Sequence, residues 1–335
     1  MHGWIIIDKP LGLGSTQAVS AVKRALRQGG YGKFKVGHGG TLDPLATGVL
    51  PIAVGEATKL AGRMLDSDKV YAFTIRFGEQ TDTLDAEGVV IATSLGRPLA
   101  DAIASVLPRF TGPIAQVPPA YSALKVDGER AYDLARAGEE VTLASRNVTI
   151  HSLSLRHPGE SRDLDGERTA GDPSLRWGDG TETGDGVDAG GGAGLGDARV
   201  PLDEITLVAH VSKGTYIRSL ARDIALALGT VGHVTMLRRL KAGPFTLDGA
   251  ILLDNLAEAG MARTLEQLLL PLRAGLDDIP ALFLDPDQAG ALRQGRVLAG
   301  IAADDGLRFA LLGDQPVALV EVVDREVRVV RGFNL

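Results

Sequence analysis

Residues 35–60, KVGHGGTLDPLATGVLPIAVGEATKL, place one carboxylate, Asp43, and one histidine, His38, among the glycines at 37, 39, 40 and 48. Pro44 follows the acid and biases it toward extended backbone, so Asp43 belongs to a loop of restricted torsions. Glycines around such an acid let a ligand approach closely. A fixed carboxylate in that position suits a nucleophile or a base. A tight turn with a capping Asp explains the same residues, and this stretch alone does not separate the two. A second charged residue with chemical meaning is Arg218 in SKGTYIRSLARDIALALG. It falls in the first turn of an expected helix, where the dipole disfavours a cation, so it calls for an anionic partner. A surface arginine is the alternative. Tyr71 opens the aromatic face of VYAFTIRF and reads as a core residue or as the rim of a site. The chain shows no Cys/His metal cluster, no Walker loop and no strand–GxGxxG–helix unit. Neither metal nor cofactor is therefore expected.

These residues need elements to hold them. Residues 5–7 read as a short buried strand, followed by the loop DKPLGLGST. Ser15 or Thr16 is expected to cap a helix over 17–28, ended by Gly29 and Gly30. Val19, Val22 and Leu26 line its inner face; Lys23, Arg24 and Arg27 lie off it, toward phosphate or water. A helix ending near Asp66 is expected after the Asp43 loop. Residues 70–77 alternate as a strand, with Tyr71, Phe73, Ile75 and Phe77 on one face. Residues 98–107 read as helical and 204–211 as a strand. Thr215 is expected to cap the next helix, whose stripe is Ile217, Leu220, Ala221, Ile224 and Leu228, with Gly229 ending it. Residues 232–245 form a strand in which Leu237 and Arg238 take opposite faces.

Composition sets the frame. The 335 residues are 44% apolar and carry a net charge of −7, enough for one large domain and a small one. No apolar run approaches the about 18 residues of a membrane span, and the start, MHGWIIIDKP, is too polar for a signal peptide. The chain has no cysteine, which excludes disulfides and makes a cytoplasmic location the expectation. The charge is uneven. Residues 159–199 hold ten acids, four bases and twelve glycines, whereas residues 1–63 hold eight bases and three acids. A polyanion would dock on that basic half. Residues 157–201 cannot bury enough surface to order themselves and are expected to be a disordered insertion between two strands.

GHGGTLDPLATGVLPIAVGEATK closely resembles the catalytic signature of the bacterial TruB-family tRNA pseudouridine synthases, with Gly39 where the family usually has Thr. DKPLGLGST, TDTLDAEG, PPAYSALKVDGERAYDLARAGEEV and KGTYIRSLARDI resemble further motifs of that family. The resemblance implies an α+β fold: a catalytic domain over 1–272, built on a mixed, mostly antiparallel sheet with flanking helices, and a PUA-like β domain over 275–335. It implies isomerisation of uridine 55 in the TΨC loop of tRNA. Asp43 acts on the uridine, Arg218 pairs with it and favours the ionised carboxylate, and Tyr71 stacks on the uracil and handles its C5 proton. Tyr216 and Leu237 pack on the flipped base, and His38 fills the vacated stack. Lys9, Lys59, Lys125, Arg238 and Arg239 are expected RNA contacts. Tyr121 and Arg130 contact RNA or, for Tyr121, brace the core. Which atom Asp43 attacks stays open. So does the C-terminal unit, with ten acids, six arginines and no lysine over 275–335, as RNA binder or structural cap. The tRNA is the partner implied, with no obligate protein partner, no membrane and a monomer. The other readings are a tRNA-binding folding chaperone without necessary chemistry, and a related enzyme acting on another RNA uridine.

Overall fold

A computed structural model describes residues 1–126, 128–139, 141–156 and 200–335. The expected insertion lies outside them except for Val200 and Pro201. The first third runs β1 (Gly3–Lys9), α1 (Ser15–Gln28), β2 (Val36–His38), β3 (Ala46–Val54), α2 (Ala61–Asp66), β4 (Lys69–Phe77), β5 (Glu79–Thr81) and β6 (Val90–Thr93). Then come α3 (Ala100–Val106), β7 (Gly112–Gln116), β8 (Lys125–Val126), β9 (Glu129–Arg130), α4 (Ala131–Arg136), β10 (Arg146–Leu155), β11 (Glu204–Val211), α5 (Ile217–Ala227), β12 (Gly232–Ala242), β13 (Phe245–Thr246) and α6 (Leu253–Ala262). The chain closes with β14 (Ala281–Phe283), α7 (Pro286–Arg293), β15 (Gly306–Leu312), β16 (Gln315–Val323) and β17 (Glu326–Gly332).

Nine strands form one sheet in the order β1-β3-β12-β4-β11-β10-β7, with β2 on β3 and β13 on β12. Among the described residues of this sheet only the β3–β12 pair is parallel; the sheet is mixed and mostly antiparallel, as expected. β10 and β11, either side of the segment outside the described residues, pair directly through Leu155 and Leu207. One core packs β4, β11 and α5, around Phe73, Leu207, Leu220 and Ile224. A second packs β1, β3 and α1, around Ile5, Ile52, Val22 and Leu26. Tyr71 and Leu237 are partly buried against both, so they sit where the two cores meet. A third cluster joins Trp4 and Phe245 to Phe309, Leu311, Leu319 and Phe333 of the C-terminal sheet, β14-β15-β16-β17.

Three local expectations need correction. The stretch after Asp43 first forms the nine-residue strand β3 and only then a 3₁₀ turn and the short α2. Its run VLPIAV is buried throughout, and a strand covered on both faces carries no alternation to betray it. Neither Ser15 nor Thr16 caps α1; the Ser15 hydroxyl instead accepts from Leu42 N at 2.8 Å and donates to Leu42 O at 2.9 Å. Thr215 does not cap α5, because its hydroxyl donates to Ser212 O at 2.9 Å. Tyr216 is the N-cap residue there.

Candidate active site

The loop that presents Asp43 is pinned along its length. The Ser15 hydroxyl holds both polar backbone groups of Leu42. Lys9 Nζ donates to Pro44 O at 3.2 Å, and to Pro10 O and Leu13 O. Arg239 donates to Gly40 O at 3.2 Å, Thr41 O at 3.4 Å and Val49 O at 2.7 Å. The carbonyls on both sides of Asp43 thus have fixed cationic partners, which preorganises the acid before any substrate arrives. Gly48 makes the approach possible. It faces Arg239 across the β3–β12 pair, and a Cβ there would lie 2.2 Å from Arg239 O.

Within this frame Arg218 Nη2 lies 2.9 Å from Asp43 Oδ2. The Asp43 side chain keeps 45% of its surface exposed, against 9% for Arg218. The guanidinium is therefore buried in the protein while the carboxylate remains open to a ligand. Behind the arginine stands Asp85, 8% exposed, with Oδ2 at 3.2 Å from Nη1. Thr83 O and Tyr121 O accept the remaining bonds, at 2.9 and 3.1 Å. The helix position of Arg218 calls for an anionic partner; it has two. Asp85 is itself fixed by the Thr83 hydroxyl and by Glu87 N. Its predecessor Leu84 adopts φ 62° while 5% exposed. A buried leucine in the left-handed region is strained, and such strain persists where the surroundings force it. The signal available in the sequence was TDTLDAEG as a whole; nothing in it distinguished Asp85 from Asp82.

The other expected site residues divide. Tyr71 lies opposite Arg239 in the β4–β12 ladder, and Leu237 pairs with Ala46 just after the Asp43 loop. Tyr216 is clamped by Gln116, which accepts from Tyr216 N at 2.8 Å and donates to Tyr216 O at 3.1 Å. Arg146 covers its ring at 5.1 Å. His38 ends β2, half-buried, with Nδ1 lacking a hydrogen-bond partner. Burial, then the charge of Arg239, lowers its proton affinity, which leaves it neutral near pH 7. The Tyr121 hydroxyl donates to Asp82 at 3.1 Å; burial, then that acid, raises its pKa.

Four of the five expected RNA contacts are instead engaged within the protein. Lys9 and Arg239 are 0% and 1% exposed and hold the loop. Arg238 is buried in a bidentate pair with Asp8, at 2.8 and 3.1 Å. Lys59 is spent on Glu56 and on Gly332 O. Lys9 and Arg239 spend their donors on internal carbonyls, whereas Arg238 Nε has no partner and Lys59 is only half-buried. Lys125 on β8 is exposed, as are Lys23, Arg24 and Arg27 on α1.

The loop aspartate Asp43 is thus paired with Arg218 of α5, beside a large mixed sheet. Comparison with known proteins gives this arrangement a class. The chain superimposes on a chain in the crystal structure of a Cbf5–Nop10–Gar1 complex, with a TM-score of 0.66 at 23% identity over 98% of this chain and 84% of that one. It matches a chain in a structure of an H/ACA RNP bound to a substrate RNA containing 2′-deoxyuridine, with a TM-score of 0.65 at 22% identity, over 99% and 85%. These likenesses establish the fold. Residues 23–165 match the model of the TruB family pseudouridylate synthase N-terminal domain, and residues 218–277 that of the tRNA pseudouridylate synthase B C-terminal domain. A tRNA pseudouridine synthase B of Novosphingobium aromaticivorans is 61% identical over all of this chain and 98% of its own length. One from Zymomonas mobilis is 55% identical, over all of this chain and 96% of its own. The chain belongs to the TruB family and is a tRNA pseudouridine synthase.

Proposed function

We propose that the protein isomerises uridine 55 in the TΨC stem-loop of tRNA, with Asp43 as the group that acts on the flipped nucleotide. The observation that carries this reading is the pair of Arg218 with a half-exposed Asp43, the arginine held from behind by Asp85. Extruding the uridine costs a few kcal/mol. Stacking on an aromatic side chain returns about 1–3 kcal/mol per base, and Tyr71 with Leu237, at the junction of the two cores, supplies such walls. Asp43 initiates cleavage of the bond between C1′ and N1; the uracil turns, and C5 bonds to C1′. Tyr71 takes the proton that C5 gives up, and N1 ends protonated, so the product has the atoms of the substrate. His38, neutral and at the edge of the glycine loop, occupies the space the base has left.

Asp43→Asn is expected to abolish pseudouridine formation and to leave tRNA binding largely intact. Tritium release from C5-labelled tRNA, with and without a substituted loop uridine, tests the position. Turnover near wild type in the variant overturns the role of Asp43. Unchanged release after substitution of the loop uridine overturns the choice of nucleotide. Binding without release, in the wild type, would instead mark a protein that only refolds tRNA.

A further inference from the structure

Among the described residues, one group of three metal-ligating side chains gathers on a sheet face that the proposed active site does not use. His210 stands in β11 between Ala209 and Val211, both buried in the core behind α5. The pleat therefore sends its imidazole to the opposite face. His151 sits in β10 where the register with β11 shifts, between Ile150 and Ser152. A bulge re-aims the side chain it carries, and here it brings the two imidazoles to 4.7 Å between ring centroids. Asp68 immediately precedes β4. Its Oδ2 lies 3.1 Å from His151 Nε2 and 3.8 Å from His210 Nε2, and one ligand atom from each residue lies within 4.8 Å of the others.

We propose that Asp68, His151 and His210 form a binding site for a divalent transition-metal ion of the zinc class, with a fourth position left to water. Bonds of about 2.0–2.1 Å in a tetrahedron set ligand atoms about 3.3–3.5 Å apart. The Asp68–His151 distance is slightly below that and the Asp68–His210 distance slightly above it; the third separation, between the imidazoles, is at most 4.8 Å, and rotation of three partly exposed side chains closes the site. Two imidazoles and a carboxylate suit zinc, cobalt, nickel or copper; magnesium and calcium take oxygen ligands.

The surroundings select a cation over an anion. Asp68 also lines a cleft of about 400 Å³ with Asp66, Asp277, Asp278 and Arg63. Arg63 pairs with Asp278, and Lys213 with Asp66. Lys241 also lies near His210. A phosphate, the other ligand that paired histidines attract, would meet Asp68 between them and this acidic rim beside them. A bound ion would join the start of β4 to β10 and β11, three neighbouring strands.

The test uses the full chain stripped by a chelator. Calorimetric titration with zinc chloride is expected to show one ion bound per chain, with a rise in Tm that magnesium chloride does not produce. His151→Gln and His210→Gln are each expected to weaken zinc binding at least tenfold, while His2→Gln leaves it unchanged. Cobalt gives a second readout that needs no variant: wild-type protein should develop the intense visible bands of four-coordinate cobalt. Absence of stoichiometric zinc binding, affinity unchanged in both cluster variants, or only the weak bands of aqueous cobalt overturns the proposal.

Discussion

At the scale of single residues the site is a chain of charges: Asp43, Arg218, Asp85. Arg218 is buried, so on the proposed mechanism it depends on Asp85 for the partner that holds it in place when Asp43 turns to substrate. Asp85→Asn keeps the shape and removes the charge. It is expected to lower kcat about 100-fold, the scale of loss that a misplacement near 1 Å produces, with tRNA binding changed only a few-fold. Single-turnover pseudouridine formation beside a filter-binding assay separates the two effects; equal losses in both would place Asp85 in binding. Gly39 poses a second test. A Cβ at this position would lie 2.7 Å from Met64 Cβ, and that is the root of a side chain rather than its movable end. Gly39→Thr is therefore expected to destabilise this protein by about 1–3 kcal/mol, read as a lower Tm. An unchanged Tm would mean that α2 shifts at no cost.

Among the elements, two buried lysines brace the segments that flank the site. Lys9 ends β1 and holds the Asp43 loop; Lys69 opens β4 and donates to Met64 O, Leu65 O and Ser67 O. Burial lowers the pKa of each from 10.5 to about 8. Between about pH 8 and the unfolded value near 10.4 the unfolded chain holds these protons and the folded chain does not. Stability from this source therefore rises with pH across that window and is flat below it. The Tm of the wild type, followed against a Lys9→Met/Lys69→Met variant, should climb from pH 8 to pH 10; parallel curves would deny the linkage. Both lysines also show where sequence reasoning stops. β4 and α5 were legible because alternation and a helical stripe are local patterns, and both appear within a residue or two of their expected bounds. β3 was not, since burial on both faces erases its alternation. Nor does a basic residue announce its side. Lys9 and Arg239 count toward a positive surface in any tally of charge, yet both are inside. Asp85 meets Arg218 across 133 residues; Thr83 and Glu87 orient the acid locally, but its place beside α5 comes from the long-range bridge to Val234 of β12.

On the scale of the whole molecule, the question is how the C-terminal sheet is attached. Polar ties are present: Lys59 donates to Gly332 O at 2.8 Å, Asn334 N to Glu56 at 2.8 Å, and Arg63 pairs with Asp278. Exposed pairs of this kind contribute about 0–1 kcal/mol each. The apolar seam is larger. Phe309, Leu311, Leu319 and Phe333 are each at most 8% exposed and pack in one cluster with Trp4, Phe245, Leu272 and Leu276. At about 1.5–3 kcal/mol for each buried side chain, four of them contribute on the order of 6–12 kcal/mol, comparable with the whole stability of a typical domain. The arrangement favours a structural cap over an independently docked module. Removing residues 280–335 is therefore expected to strip the covering from Trp4 and leave a chain that melts far below the full-length protein or aggregates. The Lys59→Ala/Arg63→Ala variant should keep a Tm within a few degrees of wild type. If the truncated chain instead melts like the full one, the seam contributes little and the acidic sheet must have been kept for some purpose other than holding the enzyme together.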